Sequence, residues 1–262
     1  MGVLNVTPDS FSDGGKYYGT RRAIARAIRM AAEGADIIDV GGESTRPGGR
    51  DISDTEECAR VIPVIEAISK KLDLPISIDT RKAPVAEAAI RAGAAIINDV
   101  SGLKHDPMMA GVAARYGTAV IVMHMKGTPR DMQRSPRYRN LISEIKSGLR
   151  ESLKIARAAG IDEEKIVIDP GIGFGKTVKH NLEILNRLAE FKELGVPICV
   201  GTSRKSFIGR ILNIPKAGDR LAGTIAASVF AIIRGADILR VHDVKEAVQA
   251  AAITDRILKS RG

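Results

Sequence analysis

The stretch Gly34-Ala-Asp-Ile-Ile-Asp39 decides the fold class, because it recurs in similar form twice more along the chain. The related stretches are Gly93-Ala-Ala-Ile-Ile-Asn98 and Gly235-Ala-Asp-Ile-Leu-Arg240. In each of them the glycine can adopt the left-handed conformation that ends a helix, and the apolar run after it is typical of a buried strand. Each stretch therefore predicts a helix that passes directly into a strand of a parallel sheet.

Outward from these stretches, short runs rich in Ile and Val alternate eight times with segments of helical periodicity. The runs lack alternation of polar and apolar residues, as expected for parallel strands covered on both faces. Eight β-then-α units, with no linker rich in Ser or Pro, predict one α/β domain over residues 1–262, a (β/α)8 TIM barrel. A doubly wound sheet is the alternative, because periodicity does not separate a closed sheet from an open one. The predicted strands are Val3–Val6, Asp36–Val40, Ile76–Asp79, Ala95–Asn98, Ala119–Met123, Ile166–Asp169, Ile198–Val200 and Ile238–Val241.

The segments between the strands are predicted to be amphipathic helices, each with one apolar face. The last two, Leu221–Arg234 and Val244–Leu258, are rich enough in Ala, Ile and Val to supply a subunit interface. The other predicted faces are Ile24, Ile28 and Ala31; Cys58, Ile62, Ile65 and Ile68; and Leu182, Leu185 and Leu188.

Composition narrows the class of partner. Lys and Arg number 40 against 31 Asp and Glu, a net charge of +9 that favours an anionic ligand. Only 3% of the residues are aromatic, and the basic residues lack the aromatic neighbours typical of a nucleic-acid surface. No run approaches the ~20 apolar residues of a membrane span, and no signal peptide is visible. Cys58 and Cys199 are isolated, so we expect a cytoplasmic protein without a disulfide, a nucleic-acid partner or a membrane partner.

Polar side chains follow nearly every predicted strand at its carboxyl end, where barrels of this class place their active sites. Two carboxylates and an amide can accept the N–H groups of a flat, nitrogen-rich heterocycle, while a lysine can donate to its carbonyl or ring nitrogen. Cations and amides near the same rim can bind an anion, an arginine in bidentate fashion. The first set is Asp79, Asn98, Asp169 and Lys205, and the second is Asn5, Arg46, Arg240 and His242.

A glycine-rich run after the sixth predicted strand invites a nucleotide-binding interpretation. The segment GIGFGKT resembles a P-loop, but Gly171 to Gly175 is one residue too short, and Pro170 stands where the first glycine belongs. The sequence therefore does not predict a P-loop.

These segments together resemble the dihydropteroate synthase family, in order and spacing, over essentially the whole chain. In that family the first strand usually follows a short N-terminal extension, whereas here Met1 lies almost inside it. The matching segments are NVTPDSFSDGG (5–15), GGESTRPGG (41–49), SIDT (77–80), INDVSG (97–102), MHMKGTP (123–129), DPGIGFGKT (169–177), GTSRKSFIG (201–209) and RVHDV (240–244).

The resemblance implies an enzyme that joins 4-aminobenzoate to (7,8-dihydropterin-6-yl)methyl diphosphate, giving 7,8-dihydropteroate and diphosphate in folate synthesis. Diphosphate would leave to form a pterin-methyl cation, which the arylamine attacks. The family is typically homodimeric and is inhibited by sulfonamides. Mg²⁺ would be held by the diphosphate and Asn5, which suits a cation that borrows substrate phosphates.

The resemblance also assigns the remaining residues. Asp79, Asn98, Asp169 and Lys205 would hold the pterin, and Thr45, Arg240 and His242 would contact the diphosphate. The catalytic set would be Asp79, Asp169, Lys205, Arg46 and Asp13, the last two helping two loops to close. The 4-aminobenzoate would lie between Phe11, Pro47, Phe174, Lys205 and Ser206.

Two other function classes stay open at this point. A barrel that binds methyltetrahydrofolate and passes its methyl group to a corrinoid protein would share the Asp, Asn and Asp pocket. A non-enzymatic basic binding protein would instead show a steep dependence of nucleic-acid affinity on salt. Turnover that depends on the pterin diphosphate separates the synthase from both.

Overall fold

The computed structural model describes residues 1–7, 16–44, 51–128 and 131–260, in which eight parallel strands alternate with helices. Short 3-10 turns precede β6, follow α6 and precede α8. The strands are β1 (Gly2–Asn5), β2 (Ile38–Gly41), β3 (Ile76–Asp79), β4 (Ile96–Asp99), β5 (Ala119–Met123), β6 (Ile166–Asp169), β7 (Cys199–Val200) and β8 (Ile238–Leu239). The helices are α1 (Lys16–Ala32), α2 (Asp54–Ser69), α3 (Ala83–Arg91), α4 (Met109–Tyr116), α5 (Leu141–Ala158), α6 (Val178–Asn186), α7 (Ser206–Leu212), α8 (Leu221–Ile233) and α9 (Val244–Lys259).

The strands close into a barrel, which confirms the (β/α)8 prediction over the doubly wound alternative. Strands β1 to β6 pair in sequential order, and β7 pairs with β8. Parallel bridges between Ile168 and Ile198 and between Gly2 and Val241 join the two groups at both seams. At the second seam the Val3 amide donates to the Val241 carbonyl at 2.8 Å. Most strand limits differ from the predicted ones by one or two residues, and β7 and β8 are the shortest.

The recurring glycine does end a helix each time. The φ angles of Gly34, Gly93 and Gly235 are +95°, +116° and +94°, in the left-handed region that a side chain disfavours. The amide of Ala35 then bonds back to the Met30 carbonyl at 2.9 Å, which satisfies the end of α1. This closed helix end explains why each strand begins only three or four residues after its glycine.

Two apolar clusters cover the two faces of the barrel wall. The larger one contains outward residues such as Ile38, Ile78 and Val120, which pack under the helices. The smaller one contains Ile121 and Cys199 with Met1, and it fills the barrel interior toward the amino ends of the strands. Beyond this smaller cluster, the side chains that point into the barrel are polar. The site therefore lies at the carboxyl ends of the strands.

The face predicted for α1 is right only in part, because Ile24 packs against the core but Ile28 does not. Ile28 is 41% exposed, whereas Ala23, Ala27 and Met30 are fully buried. Two alanines let the helix approach the barrel closely, and this packing outweighs the larger apolar side chain on the opposite side. Within the described ranges, no helix is both long and apolar enough to span a membrane.

Candidate functional site

The ends of neighbouring strands bring buried polar side chains together at one mouth of the barrel. Asp79 and Asn98 lie side by side in the β3–β4 register, and Asp169 pairs with Met123 across β5 and β6. Asp79, Asn98 and Asp169 are all buried, with 5% to 7% of each residue exposed. The structure therefore brings together three of the four residues expected to hold a flat heterocycle, and the fourth, Lys205, comes from the loop after β7.

Arg240 enters this pocket from the end of β8. Its Nε donates to Oδ2 of Asp39 at 2.7 Å and its Nη2 to Oδ2 of Asp79 at 2.6 Å. The Nδ2 of Asn98 donates to the same Asp39 oxygen at 3.2 Å. Asp39 and Asp79 each keep one buried oxygen without a hydrogen-bond donor among the described residues. The pocket is thus a network of charges in which two carboxylate oxygens retain accepting capacity.

Burial shifts the titration of the pocket residues. Removal from water raises the pKa of Asp79 to about 7, although the Arg240 charge opposes the shift. The pKa of Asp169 is raised for the same reason, against a hydrogen bond from the Gly171 amide at 2.7 Å. Burial and the Arg240 charge lower the pKa of Lys205 to about 8. Perturbed groups that share a cleft in this way are typical of functional sites.

A strained turn sets the direction of Lys205. The preceding residue, Arg204, has a φ of +58°, which is costly for a residue with a side chain. Its Nε donates to Asp243 at 3.0 Å and its amide donates to Thr224 Oγ1 at 3.0 Å. Arg220 also donates to the Arg204 carbonyl at 2.9 Å. Together these bonds hold the turn that points Lys205 toward the mouth.

An apolar wall stands beside the polar pocket. The Nζ of Lys205 lies 4.2 Å from the ring centroid of Phe174, a cation–π distance. Phe174 packs with Val100, Met123 and Met132 in a small cluster of its own. This cluster forms an apolar wall of buried side chains next to the hydrogen-bonding groups.

Arg240 and His242, which are two residues apart, have different hydrogen-bond partners in the structure. The Nδ1 of His242 lies 3.0 Å from the hydroxyl of Ser203, while Arg240 faces the carboxylates inside the barrel. Ser206 is exposed in the first turn of α7, next to Lys205. Five predicted site residues lie outside the described residues: Phe11, Asp13, Thr45, Arg46 and Pro47.

Sequence reasoning missed Asp39, which is fully buried in the middle of β2. The signal was available, because a carboxylate inside an apolar strand needs a cationic or hydrogen-bonding partner. It also missed Lys82, which donates to Glu43 at 2.5 Å and to Glu57 at 2.7 Å. These hydrogen bonds raise the pKa of Lys82 although burial works against its charge. The cluster joins the end of β3 to the segment that follows β2.

The chemistry at the end of β1 fits magnesium only in part. Asn5 is half-buried at the strand terminus, and its side-chain oxygen is a hard ligand of the kind that Mg²⁺ accepts. No group of three or more His, Cys, Asp or Glu able to hold a metal occurs among the described residues. Asn5 would therefore fit a magnesium ion that takes most of its oxygens from water and a phosphorylated substrate.

Comparison with known proteins agrees with this geometry. A family model described as pterin binding enzyme matches residues 1–242. The dihydropteroate synthase of Bacillus subtilis is 50% identical over 262 residues, which cover 100% of this chain and 89% of that protein. A structure of the Clostridium difficile enzyme, solved in the presence of pteroic acid, has a TM-score of 0.93 at 50% identity, covering 98% of this chain and 95% of that one. The enzyme of Xanthomonas albilineans, solved with 4-aminobenzoic acid, has a TM-score of 0.93 at 44% identity, covering 98% and 92%. The chain belongs to the pterin-binding enzymes and, among them, to the dihydropteroate synthases.

Proposed function

We propose that the barrel mouth of this transferase condenses (7,8-dihydropterin-6-yl)methyl diphosphate with 4-aminobenzoate. The products are 7,8-dihydropteroate and diphosphate, a step of tetrahydrofolate biosynthesis. The observation that carries the assignment is the convergence of Asp79, Asp169, Lys205 and Arg240 beside the Phe174 ring. Polar groups for a heterocycle and an aromatic wall for an arylamine thereby share one rim.

The pterin is assigned to the buried end of the mouth. Asp79 and Asp169 accept hydrogen bonds from its amino and ring N–H groups, and Asn98 adds an amide. Lys205 donates to its carbonyl or to a ring nitrogen. Support comes from the Asp79 oxygen that has no donor among the described residues. A ligand N–H would satisfy it without displacing the Arg240 bond.

The diphosphate is assigned to the rim between Arg240 and His242. Arg240 is anchored by Asp39 and Asp79, so its guanidinium is ordered before the substrate arrives. His242 is anchored through Ser203. Asn5 would contribute an oxygen to Mg²⁺, which supplies charge neutralisation for the leaving group when bound. The expectation that Thr45 joins this set falls on a residue outside those described.

The reaction proceeds by charge separation. The C–O bond to diphosphate breaks and both electrons leave with the phosphate oxygen, while Arg240 and His242 stabilise that oxygen. The positive charge remains on the methylene carbon, conjugated with the pterin and facing Asp79 and Asp169. The arylamine nitrogen then forms the C–N bond and releases a proton to water. No enzyme nucleophile takes part.

The arylamine lies against Phe174, with Lys205 and Ser206 near its carboxylate. The ring of Phe174 offers a stacking surface, and the Lys205 ammonium is 4.2 Å from that ring. Ser206 is exposed beside it, where its hydroxyl can donate to an anion. Phe11 and Pro47 complete the predicted wall, and Arg46 and Asp13 the predicted loop closure; these four lie outside the described residues.

A second copy of the chain is the proposed partner. Apolar side chains of α8 and α9 reach the surface, including Ile233, Ile253 and Ile257 with 52%, 65% and 57% exposed. Burial of this face in a homodimer would remove it from water. Ile253→Glu should give a monomer in sedimentation velocity, whereas Ile28→Glu on α1, where Ile28 is 41% exposed, should leave the dimer intact.

We propose that the pterin-binding domain spans residues 1–262. Val244 and Ala247 of α9 belong to the main core although they follow the segment matched by the family model.

We also propose a cytoplasmic location, which two free thiols at Cys58 and Cys199 support.

Calorimetric titration tests the assignment directly. The pterin-methyl diphosphate should bind tightly with Mg²⁺ and weakly without it, and later addition of 4-aminobenzoate should release diphosphate. Binding without turnover would contradict the synthase assignment and favour the methyl-transfer class. Affinity that is independent of Mg²⁺ would contradict the role of Asn5.

A further inference from the structure

The glycine-rich run between β6 and α6 packs against the backbone that follows β5. A Cβ atom at Gly171 would lie 2.0 Å from the carbonyl oxygen of His124, and one at Gly175 would lie 2.3 Å from that of Lys126. The φ angles of these glycines are +73° and +63°, a region that favours glycine. The run that resembles a P-loop is thus built for contact between two loops.

Lys176 lies at the centre of this contact and is only 2% exposed. Its Nζ donates to the carbonyl oxygens of Phe174 at 2.9 Å and His124 at 3.2 Å, and lies 3.1 Å from Nδ1 of His124. Burial lowers the pKa of Lys176 to about 7 and that of His124 to about 3, so the imidazole is neutral and its Nδ1 accepts. The hydrogen-bond partners of this amine are neutral atoms of two loops, and one of them is the backbone of Phe174 itself.

The other polar groups of the run have separate partners. Gln133 donates to the Gly173 carbonyl at 2.7 Å, and the Gly173 amide donates to Asn181 at 2.7 Å. The hydroxyl of Tyr138 donates to the Gly175 carbonyl at 2.9 Å. Both neighbours of Phe174 are therefore fixed independently, and Lys176 holds the carbonyl between them.

Phe174 is the residue on which this anchoring acts. Its ring packs against Met123 and Met132 and faces Lys205 at 4.2 Å. A shift of its carbonyl would tilt the ring relative to Lys205. A buried ammonium costs free energy, and a methionine of similar length would fill the same space without that cost. The hydrogen bonds to the two loops are what the ammonium adds.

We propose that Lys176 is a positioning residue for 4-aminobenzoate, holding Phe174 at the angle the arylamine needs. The inference rests on the proposed function, which places Phe174 in the arylamine subsite. The hydrogen bonds of Lys176 go to His124 and Phe174 and to none of the pterin residues Asp79, Asn98 and Asp169, although its charge acts on Asp169 from a distance. Its loss should therefore act mainly on the binding of 4-aminobenzoate.

Initial-rate kinetics of the full-length enzyme test this selectivity. Lys176→Met should raise the KM for 4-aminobenzoate about tenfold while the KM for the pterin diphosphate stays within about twofold. The matched control is Lys165→Met, at the amino end of β6. Lys165 also donates to a backbone carbonyl, that of Gly117 at 3.0 Å, but far from the mouth. An unchanged KM for 4-aminobenzoate, or an equal rise of both values, overturns the proposal.

A double-mutant cycle with Phe174→Ala separates positioning from general loss of structure. If Lys176 acts through Phe174, the two effects on the KM for 4-aminobenzoate should be far from additive. Additive effects overturn the proposal. A Phe174→Ala variant with normal KM contradicts the subsite assignment instead, whatever Lys176 does. Should Lys176→Met fail to fold, Lys176→Arg keeps hydrogen-bond donors at this position but carries a bulkier head group, and the same selective rise is expected. Unchanged KM values for this variant overturn the proposal.

Discussion

Arg240 donates from Nε to Oδ2 of Asp39 at 2.7 Å, at a point where Asp39 is wholly inside the barrel. A buried carboxylate is tolerated because the guanidinium compensates its charge, and the guanidinium is in turn fixed at the mouth. This pair links the interior of the barrel to the rim assigned to the substrate diphosphate.

Replacement of Asp39 should show how much its ion pair with Arg240 stabilises the fold. Asp39→Asn leaves Arg240 with one carboxylate, and the free energy of unfolding should fall by about 3 kcal/mol, the usual cost of breaking a buried ion pair. Denaturant unfolding followed by circular dichroism measures it. The matching cycle adds Arg240→Met, and the double variant should lose clearly less stability than the sum of the single losses. Strict additivity would mean that the two residues do not stabilise each other.

Asp79 should impose a pH dependence on stability. Its pKa is about 7 in the folded protein against 3.8 for an ordinary aspartate, so the folded state holds the proton more tightly. Raising the pH from about 4 to 7 should therefore destabilise the wild type relative to Asp79→Asn, with no further change above that window. Urea titrations at several pH values measure the difference.

The control for this measurement is an aspartate whose pKa is shifted in the opposite direction. Hydrogen bonds from Thr128 lower the pKa of exposed Asp131, so its contribution to stability is lost only as the pH falls below about 4. Asp131→Asn should show a constant difference from the wild type between about pH 5 and 7. A constant difference for Asp79→Asn as well would disprove the raised pKa.

The sequence predicted well those features that depend on local chain chemistry. Helix-ending glycines such as Gly34 and polar strand ends such as Asp79 act within a few residues, so a pattern can reveal them. Asp39 escaped because its partner, Arg240, is 201 positions away and the barrel alone brings them together. Lys176 escaped because its acceptors include the backbone of His124, which leaves no pattern in side chains.

The packing of α1 escaped for a related reason. Periodicity identifies a face by its largest apolar residues, and it favoured Ile28. The barrel wall instead selects the face that fits most closely, where Ala23 and Ala27 leave room for the strands. The size and shape of the neighbouring surface decide which face of a helix is buried. Neither property can be read from the sequence of the helix alone.

Lys205 should make pterin binding sensitive to alkali. Its pKa is about 8 in the folded protein, so the ammonium loses its proton as the pH rises past that value. Affinity for the pterin diphosphate should fall between about pH 7.5 and 9.5, because a neutral amine is a weaker donor to the pterin carbonyl. Lys205→Arg stays protonated over this range and should bind with an affinity that does not change with pH. Calorimetry at fixed ionic strength measures both affinities. An identical decline of affinity with pH in both proteins would assign the pH dependence to another group.

Asp169 offers a test of the pterin pocket, with an aspartate at the end of another strand as its control. Asp169→Asn keeps an acceptor for the Gly171 amide but turns an N–H₂ donor toward the N–H groups of the pterin, so affinity should fall about a hundredfold. Asp99 ends β4 as Asp169 ends β6, yet its oxygens accept from Ser101 at 2.7 Å and from Leu103 at 2.9 Å within its own turn. Asp99→Asn should therefore lower the free energy of unfolding by about 1 to 3 kcal/mol and leave pterin affinity of the folded protein within about twofold. Calorimetry and urea unfolding on both variants separate the two roles, and equal losses of affinity would contradict the placement of the pterin at Asp169.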